Sequence, residues 1–215
     1  MSPRERAKSV FPRDTDPTPF TPILDALLQR LPGAVAAALV DREGETVDYS
    51  GRGDPYDMKV AAAHGRILLN EIDNLGFLGT ARWLVVRGVK RTFVTRSLPD
   101  AYALVLLMRR RAGFTRSSRA FLVCERALAI EAGWALPATK VRWHPVEVQH
   151  DRRGRPRKVG SLWVEVLGAV MGLPTYERGF RVRVQDGSEL TLIREARNAW
   201  YADDTVGDPA SHPQT

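Results

Sequence analysis

The stretch best suited to chemistry is "HDRRGRPRKVG" at residues 150–160. Arg152, Arg153, Arg155, Arg157 and Lys158 put five cations into seven residues. A run of this kind can neutralise several phosphates of a nucleic acid, or meet an acidic protein surface. Gly154 and Pro156 give it a plainer reading, the solvated tip of a hairpin. An RNA-binding sheet would also need outward aromatics to stack on bases. Trp143, Trp163, Trp200 and Tyr201 are the candidates, although tryptophans in a small β domain usually serve its core. A second cationic stretch runs through Arg82, Arg87, Lys90, Arg91, Arg96, Arg109, Arg110, Arg111, Arg116, Arg119 and Arg126. Only Asp100 and Glu125 oppose it, and an ordinary solvated surface is again the plainer reading.

Catalytic and metal chemistry find less support. Cys124 falls inside a helical apolar pattern, the place of a core thiol rather than a nucleophile. His64, His144, His150 and His212 have no ligand spacing. "GRGDP" at 51–55 contains Arg-Gly-Asp but reads as a turn, and its glycines do not fit the dinucleotide pattern. No G-x-x-x-x-G-K-[ST] loop is present, so the chain is not itself a P-loop GTPase. The sequence thus offers no catalytic, cofactor or metal site, and no enzyme is expected.

The elements that would position these groups follow from length, charge and periodicity. The chain has 215 residues, a net charge of +7 and a pI near 10.0. One cysteine excludes an internal disulfide and suits a reducing compartment. The N-terminal stretch lacks the apolar core of a signal peptide, and no segment approaches the ~20 apolar residues of a membrane span. A cytoplasmic protein is expected. The charged, proline-rich residues 1–18 read as a disordered leader and 203–215 as a disordered tail. Between them lie two domains, 19–136 and 140–202.

In the first domain, Phe20, Ile23, Leu24, Leu27, Leu28 and Leu31 repeat with helical spacing. Thr21-Pro22 supplies a helix start and Pro32-Gly33 a stop. Ala34–Val40 is apolar at every position, so it predicts a strand covered on both faces. Gly44 closes a hairpin to a more polar, more exposed strand over 46–51. A second helix runs over 56–75, with Met58, Ala61, Ala62, Leu68, Leu69 and Ile72 toward the sheet. Three strands follow at 81–86, 91–97 and 101–108, the last again apolar throughout. A third helix covers 115–134, capped near Thr115 or Ser117. Two doubly covered strands require helices on both faces of one antiparallel sheet.

This order, carried by "ILDALLQRLPGAVAAALVDREGETVDYSG", "GTARWLVVRGVKRTFVTRS" and "AYALVLLMRR", resembles the Roadblock/LC7 family, including its bacterial members, over about residues 20–134. The resemblance implies an α/β (α+β), profilin-like three-layer fold with a five-stranded antiparallel sheet between helices. It also implies a non-catalytic homodimer or scaffold that binds a small Ras-like GTPase and in some cases stimulates GTP hydrolysis. Family members pair through the second helix and third strand. Carried onto this sequence, the interface residues are Val60, Ala63, His64, Ile67, Trp83 and Val85. Small residues at 61–63 and Gly65 would let a second helix approach closely. The alternative cover for that apolar surface is the C-terminal module of the same chain.

That module shows "FRVRV" (180–184) and "ELTLI" (189–193) around Asp186-Gly187, a strong hairpin signal. Phe180, Val182, Val184, Leu190 and Leu192 should share one buried face. With "VEV" (146–148), "WVEVL" (163–167) and "AWYA" (199–202), the pattern predicts a small open barrel or meander of about five strands. A nucleic-acid-associated module acting through Arg152–Lys158 is the alternative function.

Overall fold

The computed structural model describes residues 11–112, 119–136 and 143–203. The chain forms two compact units, 1–116 with 124–137, and 117–123 with 138–215. The expected division near residue 137 is thus approximate, because the start of the third helix belongs with the second unit.

The first unit contains α1 (Phe20–Arg30), β1 (Ala34–Val40), β2 (Thr46–Gly51), α2 (Pro55–Asn74), β3 (Trp83–Arg87), β4 (Arg91–Ser97) and β5 (Ala103–Arg109), with most of α3 (Arg119–Ala132). Its antiparallel sheet has the order β2-β1-β5-β4-β3, so the two fully apolar runs are neighbours inside it. Ala36, Ala38, Val40, Ala103 and Val105 pack with Met58, Ala62 and Leu69 of α2. Ala37, Leu39, Leu104 and Leu106 alternate with them and are as deeply buried on the opposite face. α1 lies on that face, where the Ser50 hydroxyl donates to Asp25. α3 lies there too, through Glu125 and Arg96 at 2.7 Å. Each buried leucine contributes about 1.5–3 kcal/mol relative to exposure, which explains the need for two helical layers.

Two glycines have specific roles. Gly44 has φ +89° at the β1–β2 turn, as expected there. Gly65 lets α2 lie almost on the sheet, since a Cβ would stand 2.6 Å from Phe93 Cζ and 2.8 Å from Thr95 Oγ1. Gly65 and Ala62 therefore serve the sheet and are unavailable for helix–helix approach. Leu68 corrects the reading in the other direction, being 41% exposed rather than turned to the sheet.

β2 also differs from expectation. It is an edge strand, yet Asp48, Tyr49 and Ser50 are buried. Their polar atoms are satisfied by groups distant in sequence. Thr18 and Thr21 hydroxyls each donate to Asp48 at 2.6 Å. Arg13 donates to Asp48 and to the Tyr49 carbonyl, with its guanidinium 4.4 Å from the Tyr49 ring centroid. The Tyr49 hydroxyl donates to Asp14 at 2.7 Å, and Lys59 pairs with Asp14 at 2.8 Å. Residues 11–18, expected within a disordered leader, thus lie along β2; the rest of that leader falls outside the described residues. α1 begins at Phe20, whose N–H donates to Thr18 Oγ1, so Thr21 is not its cap. The expected cap of the third helix, Thr115 or Ser117, also lies outside the described residues.

The second unit has seven described strands rather than about five. They are β6 (Trp143–Val146), β7 (Val148–His150), β8 (Pro156–Val159), β9 (Leu162–Val170), β10 (Arg178–Val184), β11 (Glu189–Arg194) and β12 (Trp200–Asp203). The sheet order is β6-β12-β11-β10-β9-β8-β7. Its two ends, β6 and β7, are separated by Glu147 alone, so the sheet must curl into an open barrel. Val182, Val184, Leu190, Leu192, Trp200 and Ala202 form the core, with Phe180 packed against it. The Asp186-Gly187 hairpin is present, with Gly187 at φ +86°. Arg119, in the short piece of α3 that joins this unit, pairs with Glu177 and Glu195, both at 2.9 Å, and covers the Trp143 ring.

Candidate partner-binding surface

α2 runs for twenty residues because Asp54 caps it, accepting from the Tyr56 N–H, and Pro55 occupies its first turn. Its buried side carries Met58, Ala62, Gly65 and Leu69. Its other side keeps apolar groups outward, Val60 at 37% exposure and Ile67 at 50%, with Leu68 beside them. Ala63 is half-buried and His64 exposed, its Nδ1 2.8 Å from the Val60 carbonyl oxygen. These four anticipated positions form one strip along the helix.

Trp83 and Val85 are not part of that strip. β3 is an edge strand, as required for pairing, but its register places Leu84 and Val86 on the α2 face. Trp83 lies opposite Arg96, on the face of α1 and α3, with the guanidinium 4.9 Å from its ring. Val85 shares that face. Val86, 42% exposed, is the β3 residue nearest in kind to the α2 strip, and the period of two along the strand could have selected it. At the end of this sheet Arg87, Lys90, Arg91, Arg109, Arg110 and Arg111 are all exposed, and Arg91 sits directly opposite Arg109.

The basic run of the second unit takes its plainer form. Residues 151–155 make the tight tip between β7 and β8. Asp151 accepts from the backbone N–H groups of Arg153 and Arg155 at 2.8 and 2.9 Å. The Arg155 N–H is the main cause holding the Asp151 carboxyl below its ordinary range. Arg152, Arg153 and Arg157 are exposed, as is Arg155, while Lys158 lies 4.3 Å over the Trp163 ring. Of the four aromatics considered for stacking, Trp200 and Tyr201 are buried, Trp143 is half-buried and Trp163 is exposed. Arg181 and Arg183 alternate outward but pair with Glu189, at 3.2 and 3.0 Å.

Cys124 is buried, and burial pushes its thiol well up, away from reactivity. No cluster of metal-ligating side chains occurs among the described residues. Among the same residues no helix is long and apolar enough to cross a membrane. The Asp48 network was invisible in the sequence. Arg13 and Asp48 are 35 positions apart, and nothing local pairs them.

No family model matches the chain, and no characterised protein matches it in sequence. Solved structures match its N-terminal half and leave the C-terminal part unmatched. The Roadblock/LC7 domain from Streptomyces avermitilis is 23% identical, covering 51% of this chain and 90% of its own, with a TM-score of 0.41. The gliding protein MglB from Thermus thermophilus is 19% identical, with 52% and 87% covered and a TM-score of 0.44. Myxococcus xanthus MglB is 16% identical, with 54% and 98% covered and a TM-score of 0.45. At these identities the likeness concerns the fold alone: the N-terminal half of the chain is similar to Roadblock/LC7 structures.

Proposed function

We propose that this chain is a non-catalytic regulator or scaffold that docks a small Ras-like GTPase on a homodimeric platform. The observation that carries this reading is the outward apolar strip of α2, Val60, Ala63, Ile67 and Leu68, in a unit whose β3 is a sheet edge among the described residues. A two-fold contact would cover the strip and continue the sheet at the same time. The exposed cations around β3 and the end of β5 favour an acidic partner surface. The Roadblock resemblance supplies the class of partner. Any stimulation of hydrolysis would act by repositioning the GTPase's own groups.

The test uses the full chain and a Ras-like GTPase, loaded with GDP or a non-hydrolysable GTP analogue. Sedimentation at tens of micromolar should give a dimer, and pull-down should retain the GTPase. Ile67→Glu should yield a folded monomer that no longer retains it. A wild-type monomer would end the dimeric-platform reading.

The nucleic-acid alternative draws only on the exposed loop arginines and Trp163. The pairing of Arg181 and Arg183 with carboxylates weakens it.

A further inference from the structure

Among the described residues β2 and β3 are the two edges of the first sheet, and they end differently. The Arg52 N–H donates to the Val35 carbonyl at 2.8 Å. Alternation along the antiparallel ladder then turns the N–H and carbonyl of Tyr49, which lies opposite Ala38, away from β1. Such outward groups are what an added strand would bond. On β2 both are already bonded. The Asp48 carboxylate accepts from the Tyr49 N–H at 2.7 Å, and Arg13 donates to the Tyr49 carbonyl while pairing with Asp48.

The segment that carries Arg13 also stands in the way of a strand. Asp14 accepts from the Tyr49 hydroxyl and pairs with Lys59 of α2, on the α2 face of the sheet. Further along, the Thr18 hydroxyl donates to Asp48, which Thr21 of α1 meets on the opposite face. Residues 14–18 therefore cross the β2 edge from one helical layer to the other. Arg13 Nε donates to the Thr15 carbonyl at 3.0 Å, which folds the segment over that edge. β3 carries nothing comparable. The Gly88 N–H donates to the Arg91 carbonyl at 2.9 Å, so Val85 and Arg87 turn their backbone groups outward. Among the described residues no group from outside the sheet bonds them.

We infer that residues 13–18 are an edge guard that keeps β2 from pairing with a second copy of this chain, so that the sheet can be continued only through β3. With both edges open, a two-fold contact at each would string copies into an open chain instead of closing at a dimer. The part played by β3 rests on the dimer proposed above, whereas the guarding of β2 does not.

The test uses the full chain carrying Arg13→Ala and Asp48→Ala together. This frees both outward groups of Tyr49, and removing both partners avoids a stranded buried charge. Sedimentation at tens of micromolar compares it with its parent, in the wild type and in Ile67→Glu. In the Ile67→Glu background the mass should double. In the wild-type background it should climb with concentration past the dimer. The Tyr49 amide should exchange with solvent more slowly in the doubled species than in the same variant diluted to its monomer. If the double variant loses its helical circular dichroism, Arg13→Ala alone takes its place, since it leaves Thr18, Thr21 and the Tyr49 N–H on Asp48. A folded variant whose mass matches its parent in both backgrounds overturns the proposal. So does a larger species whose Tyr49 amide is not protected. Loss of helical signal in both variants also overturns it, because the segment would then hold the fold rather than guard an edge. A wild-type monomer ends the dimeric platform but leaves this test intact, since doubling is read against the parent.

Discussion

The two units hide apolar surface in opposite ways. In the first, β1 and β5 are apolar along their buried lengths and both sheet faces are covered by helices. In the second, β10 alternates Arg181 and Arg183 with Val182 and Val184, and the sheet closes its single apolar face by curling. Covering with helices leaves an outer helical surface whose character is free to vary, and α2 shows this with its apolar strip. Curling leaves a seam between β6 and β7, where Val146, Glu147 and Val148 line a cavity. A layered sheet thus presents faces to partners, whereas a curled one presents edges and gaps.

Val182→Asp should break the comparison most severely. The side chain is fully buried, and an unpaired carboxylate there costs several kcal/mol. Thermal unfolding followed by circular dichroism should then show the second unit lost while the helical signal of the first persists. A single loss of both signals would mean that the units unfold together.

Arg119→Ala should come next. It leaves Glu177 without its cation and takes the guanidinium from Glu195, which keeps the bond from the residue-119 backbone N–H, for about 3 kcal/mol. Arg119→Lys should recover only part of this: both carboxylates are met by the one Nη1, but an ammonium cannot also lay a planar guanidinium over the Trp143 ring. Urea midpoints of the two variants would measure the difference.

Gly65→Ala sharpens the other side of the comparison. The added methyl would press on Phe93 and Thr95, and such overpacking costs about 1–3 kcal/mol. Ala63→Gly, two residues away and off the Phe93–Thr95 contact, should cost about 1 kcal/mol, chiefly through helix propensity. The gap between the two melting temperatures tests whether α2 lies as close to β4 as described.

The smallest effect concerns pH. Burial alone would raise the Asp48 carboxyl, but hydrogen bonds from Thr18, Thr21, Arg13 and the Tyr49 N–H outweigh it and hold it below its ordinary value. A lowered folded-state pKa adds stability above the unfolded-state value of about 4, and that stability is lost as pH falls through the folded value. Acid titration of the urea midpoint should therefore be steeper for the wild type than for Asp48→Asn. Equal slopes would place the acid sensitivity elsewhere.

Much of the fold was legible in the sequence for one reason. Where every residue of Ala34–Val40 and Ala103–Met108 is apolar, an arrangement with an exposed face is too costly, so the layers follow. The hairpin at Asp186-Gly187 was as readable, because turn chemistry and alternation are local. The candidate surface was read only in part. Helical spacing located Val60, Ala63, His64 and Ile67, but Trp83 and Val85 came from the resemblance and an open strand edge, and only register showed that they face away from α2.

What the sequence determined by itself is whatever depends on near neighbours: period and turn. It set the helix of α2, the buried central strands and the basic hairpin tip at 151–155. The tertiary structure alone decided which polar groups would meet. Arg13 reaches Asp48 across 35 positions, Arg119 reaches Glu195 across 76, and Trp200 comes to lie beside Glu147 and Asn198 at the barrel seam. Such pairings have no local signature, because a charged or hydrogen-bonding side chain is equally at home in water until the fold removes the water and leaves it one partner, or none.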